Sequence, residues 1–205
     1  MRADAFWREK KPLILASKSS ARAALLRQTG IPFVVRGADI DERAIEAELS
    51  AGGARDIAQA LARVKAQAIA AAHPDQLVLG ADQTQALGSR TFHKPANREE
   101  ALAQLRALAG QEHALHSALC IVQGGNIVFE TTETVRMKMR AFSEPFLQGY
   151  ADAAGPALTA SVGAYQVEGL GIHLFESIAG DHSAILGLPL IPLLAFLRRH
   201  GSLLG

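Results

Sequence analysis

The stretch LILASKSSARAALL, residues 13–26, sets an apolar run against Ser17, Lys18, Ser19, Ser20 and Arg22, then returns to apolar residues at helical spacing. A strand-to-helix connection needs one capping side chain, and this one carries three hydroxyls and two cations. Free N–H groups and the positive dipole end of a helix suit an anion. Ser17 and Ser19 add donors, and Arg22, one turn inside, can reach the same anion with a bidentate fork. Taken alone, the stretch also fits an ordinary Ser-rich helix cap. Asp82 follows the apolar run LVLGA and precedes Gln83 and Thr84. A carboxylate at the end of a buried strand either caps a turn or sits in a cleft, where it can hold a metal or orient a water. Asp39, Asp41 and Glu42 supply hard oxygen ligands of the kind Mg²⁺ or Mn²⁺ takes, although a solvated acidic loop explains them as simply. Lys94, in FHKPA, precedes a proline and is therefore extended; it either aims at a phosphate or is a loop lysine. Glu168 lies in QVEGLG, where the glycines permit close backbone approach.

Several chemistries are excluded. His113 and His116 are three apart on a predicted strand, so they point to opposite faces and make no metal pair. Cys120 is the only cysteine, which rules out an intrachain disulfide and a cysteine-based zinc site; its apolar neighbours predict a buried thiol. Neither GxxxxGK[ST] nor GxGxxG occurs. The chain holds 21 Lys+Arg against 20 Asp+Glu, a formal net charge of +1. A protein that neutralises a nucleic-acid polymer carries a basic excess, so phosphate recognition here is expected to be local. The N-terminal stretch MRADAFWREKKP has no apolar h-region, and no apolar run approaches the ~20 residues of a membrane span. The expected setting is cytoplasmic, with no membrane partner.

These residues need elements to hold them. LILA (13–16) reads as a buried strand, residues 19–29 as a helix with Leu25, Leu26 and Ala21 inward, and FVVR (33–36) as a second strand. A helix near 42–49 ends at the Ala51-Gly52-Gly53 break. The clearest helix is 54–72, where Ile57, Leu61, Val64 and Ala68 form the apolar stripe. At ~100° per residue, Lys65 lies roughly 50° from the centre of that stripe, at the edge of the buried face, where a snorkelling lysine is the plain reading. LVLGAD (77–82) is a third strand. Asn97 and Glu100 form a capping box for a helix over 97–109. The period then changes to two. HALHSALCIVQ, a GGN turn and IVFETTETVRMKMRAF predict a hairpin, with Phe129, Val135, Met137 and Met139 on one face. A helix near 143–154, a strand near 172–178 and a helix at 190–199 complete an α/β fold around a mixed sheet.

Taken together, LILASKSSARAALL, DIDE, LARVKAQ, LVLGADQT, HKP followed by EEALAQL, the Leu-x-Gly-x-x-His pattern at 108–113, GAYQVEGLGIHLFE and GLPL at 187–190 fall in the order of the Maf family. The resemblance runs from about residue 13 to residue 200. It implies one domain over 1–205, with 1–12 an N-terminal extension: an elongated mixed sheet flanked by helices, with a cleft between two lobes, like inosine triphosphate pyrophosphatases. It implies hydrolysis of nucleoside triphosphates between the α and β phosphates, dependence on a divalent metal (Mg²⁺ or Mn²⁺), and a homodimer.

By matching position, the resemblance gives Ser17, Ser19 and Arg22 to a phosphate-binding turn. Lys65 and Lys94 face the triphosphate, Asp82 activates water or holds metal, and Glu42 is the second acid. The chain departs from the family's turn at Ser20, Ala21 and Ala23. Gln83 after Asp82, and Glu168 before Gly169, resemble the branch that hydrolyses 7-methyl-GTP rather than dTTP or UTP. A carboxylate at 168 can accept from the N1–H and exocyclic amine of guanine. The expectation is an enzyme that clears modified or non-canonical nucleotides. A nucleotide-binding regulator of cell division with little turnover, or a dTTP/UTP pyrophosphatase, is the other reading.

Overall fold

The computed structural model describes residues 5–49 and 52–205; Ala51, in the expected helix break, lies outside them. Strands β1 (Leu13–Ala16), β2 (Phe33–Val35), β3 (Val78–Leu87), β4 (Arg90–Phe92), β5 (Glu112–Gln123), β6 (Asn126–Met139) and β7 (Phe175–Ala179) form one sheet in the order β2-β1-β3-β5-β6-β7, with β4 paired to β3. β1 runs parallel to β2 and β3, whereas β3/β4 and β6/β7 are antiparallel, so the sheet is mixed as expected. The helices are α1 (Ser20–Gln28), α2 (Glu42–Glu48), α3 (Gly53–Ala70), α4 (Arg98–Leu108), α5 (Glu144–Ala154), α6 (His182–Ile185) and α7 (Leu190–His200). Among the described residues, no helix is long and apolar enough to cross a membrane.

Two compact units divide the chain. The first comprises Met1–Gln83, His116–Glu133 and Asp181–Gly205, and the second Thr84–Leu115 and Thr134–Gly180. In the first unit the alternation of the strands sorts the core into two layers. Leu13, Leu15, Leu79, Leu119 and Ile121 pack with Leu25 and Leu26 of α1 and Leu193 and Leu197 of α7. Ile14, Ala16, Val78, Ala118, Cys120 and Val122 pack against Ala58, Ala62, Ala66 and Ala70 of α3. Ala21 is exposed, not inward, because the inward arc of α1 is narrow and is filled by Leu25 and Leu26, with Ala23 beside them. Phe6 and Trp7 are tied to the last residues of the chain: Trp7 bridges Leu203, and Leu204 N–H donates to Phe6 C=O over 2.8 Å.

The second unit is built on the far parts of β3, β5 and β6 with β4, β7, α4 and α5. Asn97 caps α4 by accepting from Glu100 N–H (2.9 Å), while the Glu100 carboxylate reaches back to Ala96 N–H (2.8 Å), a capping box shifted by one residue. Arg106 and Glu144 join α4 to α5 through two hydrogen bonds. The segment before β7 folds as three 3₁₀ turns, Gly155–Thr159, Val162–Ala164 and Leu170–Leu174, so the expected strand at 172–178 starts only at Phe175. The glycines at 163, 169 and 171 keep this stretch from extending early. The β5–β6 hairpin turns on Gly124 (φ 56°) and Gly125 (φ 79°), the left-handed pair a two-residue turn requires.

Candidate active site

The site begins with the close approach of α3 to β3. Gly80 is fully enclosed: a Cβ there would overlap the Ala62 carbonyl oxygen and stand 2.7 Å from Ala66 N. A glycine facing an alanine-lined helix lets the two backbones come together. Asp82, two residues on, shares the face of Gly80. The buried arc of α3 runs through Ile57, Ala58, Leu61, Ala62, Lys65 and Ala66, with Val64 half-buried and Ala68 exposed. Lys65 therefore lies within the buried face, not at its edge. The small alanines, more than the larger apolar residues, mark the face that meets the sheet. β1 ends opposite Gly80, through the pair Ala16↔Gly80, whereas β3 continues to Leu87. Asp82 is thus not the end of its strand. It lies just beyond the point where the neighbouring strand stops.

Lys65 Nζ stands 2.6 Å from Asp82 Oδ1 and 2.9 Å from Glu42 Oε1. The side chains of Lys65 and Asp82 are each 9% exposed, while that of Glu42 is 50% exposed. Glu42 opens α2, behind Asp41, whose carboxylate caps the helix by accepting from Ala44 N–H over 3.1 Å. Of the acids at 39–42, one is a cap and one a site residue. Burial pushes the Asp82 carboxyl above its ordinary range, opposed by Arg22 and by Lys65 and its hydrogen bond. A partly desolvated carboxylate of this kind is a better proton acceptor than one in water.

Arg22 completes the group. Ser19 is the N-cap of α1 and accepts from Arg22 N–H (3.3 Å), which fixes the first turn. The guanidinium donates from Nε to Gly187 C=O (2.9 Å), and from NH1 to Ala81 C=O (2.9 Å) and Ser17 Oγ (3.2 Å). Burial lowers the Arg22 pKa, while Asp82 and Glu42 raise it; an arginine stays charged under such opposing influences. Ser17 Oγ also accepts from Ser19 N–H (3.2 Å). Both of its acceptor positions are taken, which leaves its O–H proton to donate. Two cations and two carboxylates thus balance. A pocket of about 160 Å³ opens beside them, lined by Ala16, Ser17, Lys18, Ala38, Asp39, Ile40, Glu42 and Lys65.

A sequence model of the family described as "Maf-like protein" matches residues 12–200. The chain belongs to the Maf family. Its similarity to other proteins extends over nearly the full length of each. A protein of Bradyrhizobium diazoefficiens named nucleoside triphosphate pyrophosphatase is 60% identical over 192 residues, 94% of this chain and 95% of the relative. Proteins with the same name from Rhodopseudomonas palustris (52% identical over 193 residues, 94% and 96%) and Maricaulis maris (48% over 190 residues, 93% and 97%) are also similar.

In this Maf chain the first unit brings together Ser17, Ser19, Arg22, Glu42, Lys65 and Asp82. Gln83 is carried there too, but its amide nitrogen is committed to the protein. It donates to Ser117 Oγ (2.8 Å), Ala184 C=O (3.0 Å) and Ile185 C=O (2.9 Å), and so anchors α6 beside β3. Lys94 and Glu168 belong to the second unit and are exposed, Lys94 just before the buried Pro95 and Glu168 just before Gly169. His113 is buried on β5, with Nε2 2.7 Å from the Tyr165 hydroxyl. The reading from sequence missed the supporting residues Gly80, Ser117 and Gly187. Only the glycine inside LVLGAD could have signalled one of them, as a point of close backbone approach.

Proposed function

We propose that this chain hydrolyses nucleoside triphosphates between the α and β phosphates, giving a nucleoside monophosphate and pyrophosphate. The observation that carries the reading is the Glu42–Lys65–Asp82 cluster with Arg22 beside it, in a chain whose relatives are named nucleoside triphosphate pyrophosphatase. Asp82 is the general base. Water attacks the α-phosphorus and its proton passes to the Asp82 carboxylate. The bond from that phosphorus to the bridging oxygen breaks, and its electron pair leaves with pyrophosphate. Ser17, Arg22, Lys65 and Lys94 are assigned to the phosphate oxygens, where they stabilise developing charge.

Glu42 and Asp82 also fit a divalent cation. Their hard oxygens already converge on one positive centre, Lys65 Nζ. Among the described residues no group of three or more His, Cys, Asp or Glu forms a metal nest. Two carboxylates, with substrate oxygens completing the shell, are the donor set Mg²⁺ commonly takes. Held by these two carboxylates in place of Lys65, Mg²⁺ or Mn²⁺ would neutralise phosphate charge.

Glu168 is assigned to the base, with 7-methyl-GTP the substrate it favours. The test is pyrophosphate release, with Mg²⁺ or Mn²⁺, from 7-methyl-GTP, GTP, dTTP, UTP, CTP and ITP. Pyrophosphate with matching monophosphate from one or two of these is expected, and Asp82→Asn should remove it. Silence across the panel would reject the proposal. An unchanged ranking of 7-methyl-GTP against UTP in Glu168→Gln would reject only the assignment of the base.

A further inference from the structure

The cations of the first unit differ in how much charge they have left to give. Lys65 is shared between two carboxylates, and Arg22 spends Nε and NH1 on two backbone carbonyls and Ser17. Among the described residues Lys18 is in no ion pair, although it lines the same 160 Å³ pocket as Ser17, Asp39, Glu42 and Lys65. Its stem has a fitted seat. A Cβ at Gly37 would overlap the end of the Lys18 side chain, 2.6 Å from Cγ and 3.0 Å from Cδ. Gly37 has ordinary negative-φ backbone and is not needed for a turn. What its missing side chain provides is room for the Lys18 stem. The result is a lysine whose stem packs over Gly37 on the wall of the pocket that Ser17 also lines.

The pocket is about half the smallest volume of a typical small-molecule site, ~300 Å³. It suits part of a nucleotide rather than the whole. Lys65 ties its wall to Asp82, the base assigned to the attacking water, so the nearest part of the substrate is phosphate. We propose that Lys18, seated on Gly37, and the Ser17 hydroxyl form the subsite for the leaving pyrophosphate. The inference rests on the proposed reaction. It adds a phosphate-binding residue, Lys18, and a positioning residue, Gly37, that only places the lysine.

Inorganic pyrophosphate with Mg²⁺, titrated calorimetrically into the full chain, tests the subsite apart from turnover. Lys18→Met keeps the stem and removes the charge; it should weaken pyrophosphate binding roughly tenfold, the loss of one charge-assisted contact. Gly37→Ala should weaken binding in the native background but add nothing in Lys18→Ala, where no stem remains to be displaced. Melting temperatures of all variants should stay close to that of the native chain, because Lys18 is exposed. Unchanged pyrophosphate affinity in Lys18→Met, or an equal effect of Gly37→Ala in both backgrounds, would overturn the subsite. If the native chain hydrolyses triphosphates while Lys18→Met binds pyrophosphate normally, the subsite falls and the reaction stands. If the native chain hydrolyses none of them yet binds pyrophosphate through Lys18, the reaction falls and the anion subsite stands.

Discussion

Lys65 serves two carboxylates of unequal burial, and the inequality decides what each substitution costs. Asp82 is enclosed, so Lys65→Met leaves a buried acid without its nearest cation; the expected loss is about 3 kcal/mol or more in urea unfolding. Adding Asp82→Leu to Lys65→Met should restore much of that stability, because a buried pair replaced by apolar groups is often nearly neutral. Glu42 is half exposed, and Glu42→Gln should change stability by less than about 1 kcal/mol. If Glu42→Gln loses turnover while it melts like the native chain, its role is chemical. Cys120 makes a second test at this scale. Burial pushes its thiol up to about 12. It should therefore ignore a disulfide reagent at pH 8 in the native state and react as the chain unfolds; rapid native-state labelling would contradict its placement.

At the scale of elements, the contact between α3 and β3 sets the geometry of the site. Gly80→Ala puts a methyl group into the backbone of α3 at Ala62 and Ala66. Overpacking of this kind costs about 1–3 kcal/mol, and here the helix must shift with Lys65 on it. Turnover is expected to fall further than stability accounts for, seen as lost kcat in a sample that remains fully folded at the assay temperature. The start of α1 is a milder case. Ser19→Ala removes the cap on Arg22 N–H, at a cost of about 1 kcal/mol, and should raise KM more than it lowers kcat because Arg22 is held by that turn.

For the molecule as a whole, pH dependence of stability has a marked source in the second unit. Burial lowers the His113 pKa from 6.5 to about 4. Between those values the unfolded chain binds a proton that the folded chain refuses. Stability therefore rises with pH through this window and is lost as pH falls from about 6.5 towards 4, by at most about 1.4 kcal/mol per unit from this one group. Urea unfolding of the native chain and His113→Asn at intervals from pH 7 to pH 4 should show a flatter slope in the variant. Equal slopes would mean that the histidine titrates freely.

Much of this architecture was legible along the chain because its signals are local. The apolar run LILA, the capping residues Ser19 and Asn97, the period-two pattern of Val135, Met137 and Met139 and the glycines at 124 and 125 act within a few residues of themselves, and each element formed where they placed it. Ser17, Arg22, Glu42 and Asp82 could be named as candidates from residue type and position beside element ends. Tertiary structure alone decided how they meet. Lys65 moved from the edge to the inside of its helix face because alanines and Gly80 let α3 close on the sheet, a packing preference that an apolar stripe of larger residues does not reveal. Asp82 proved to lie within a longer strand because β3 runs on past the end of β1 to pair with β4, and the length of one strand carries no information about where another ends. The commitment of the Gln83 amide to Ser117 and the carbonyls of α6 joins residues 34 and 101 positions apart or more. Such contacts arise from the folding of distant segments onto one another, which no local pattern encodes.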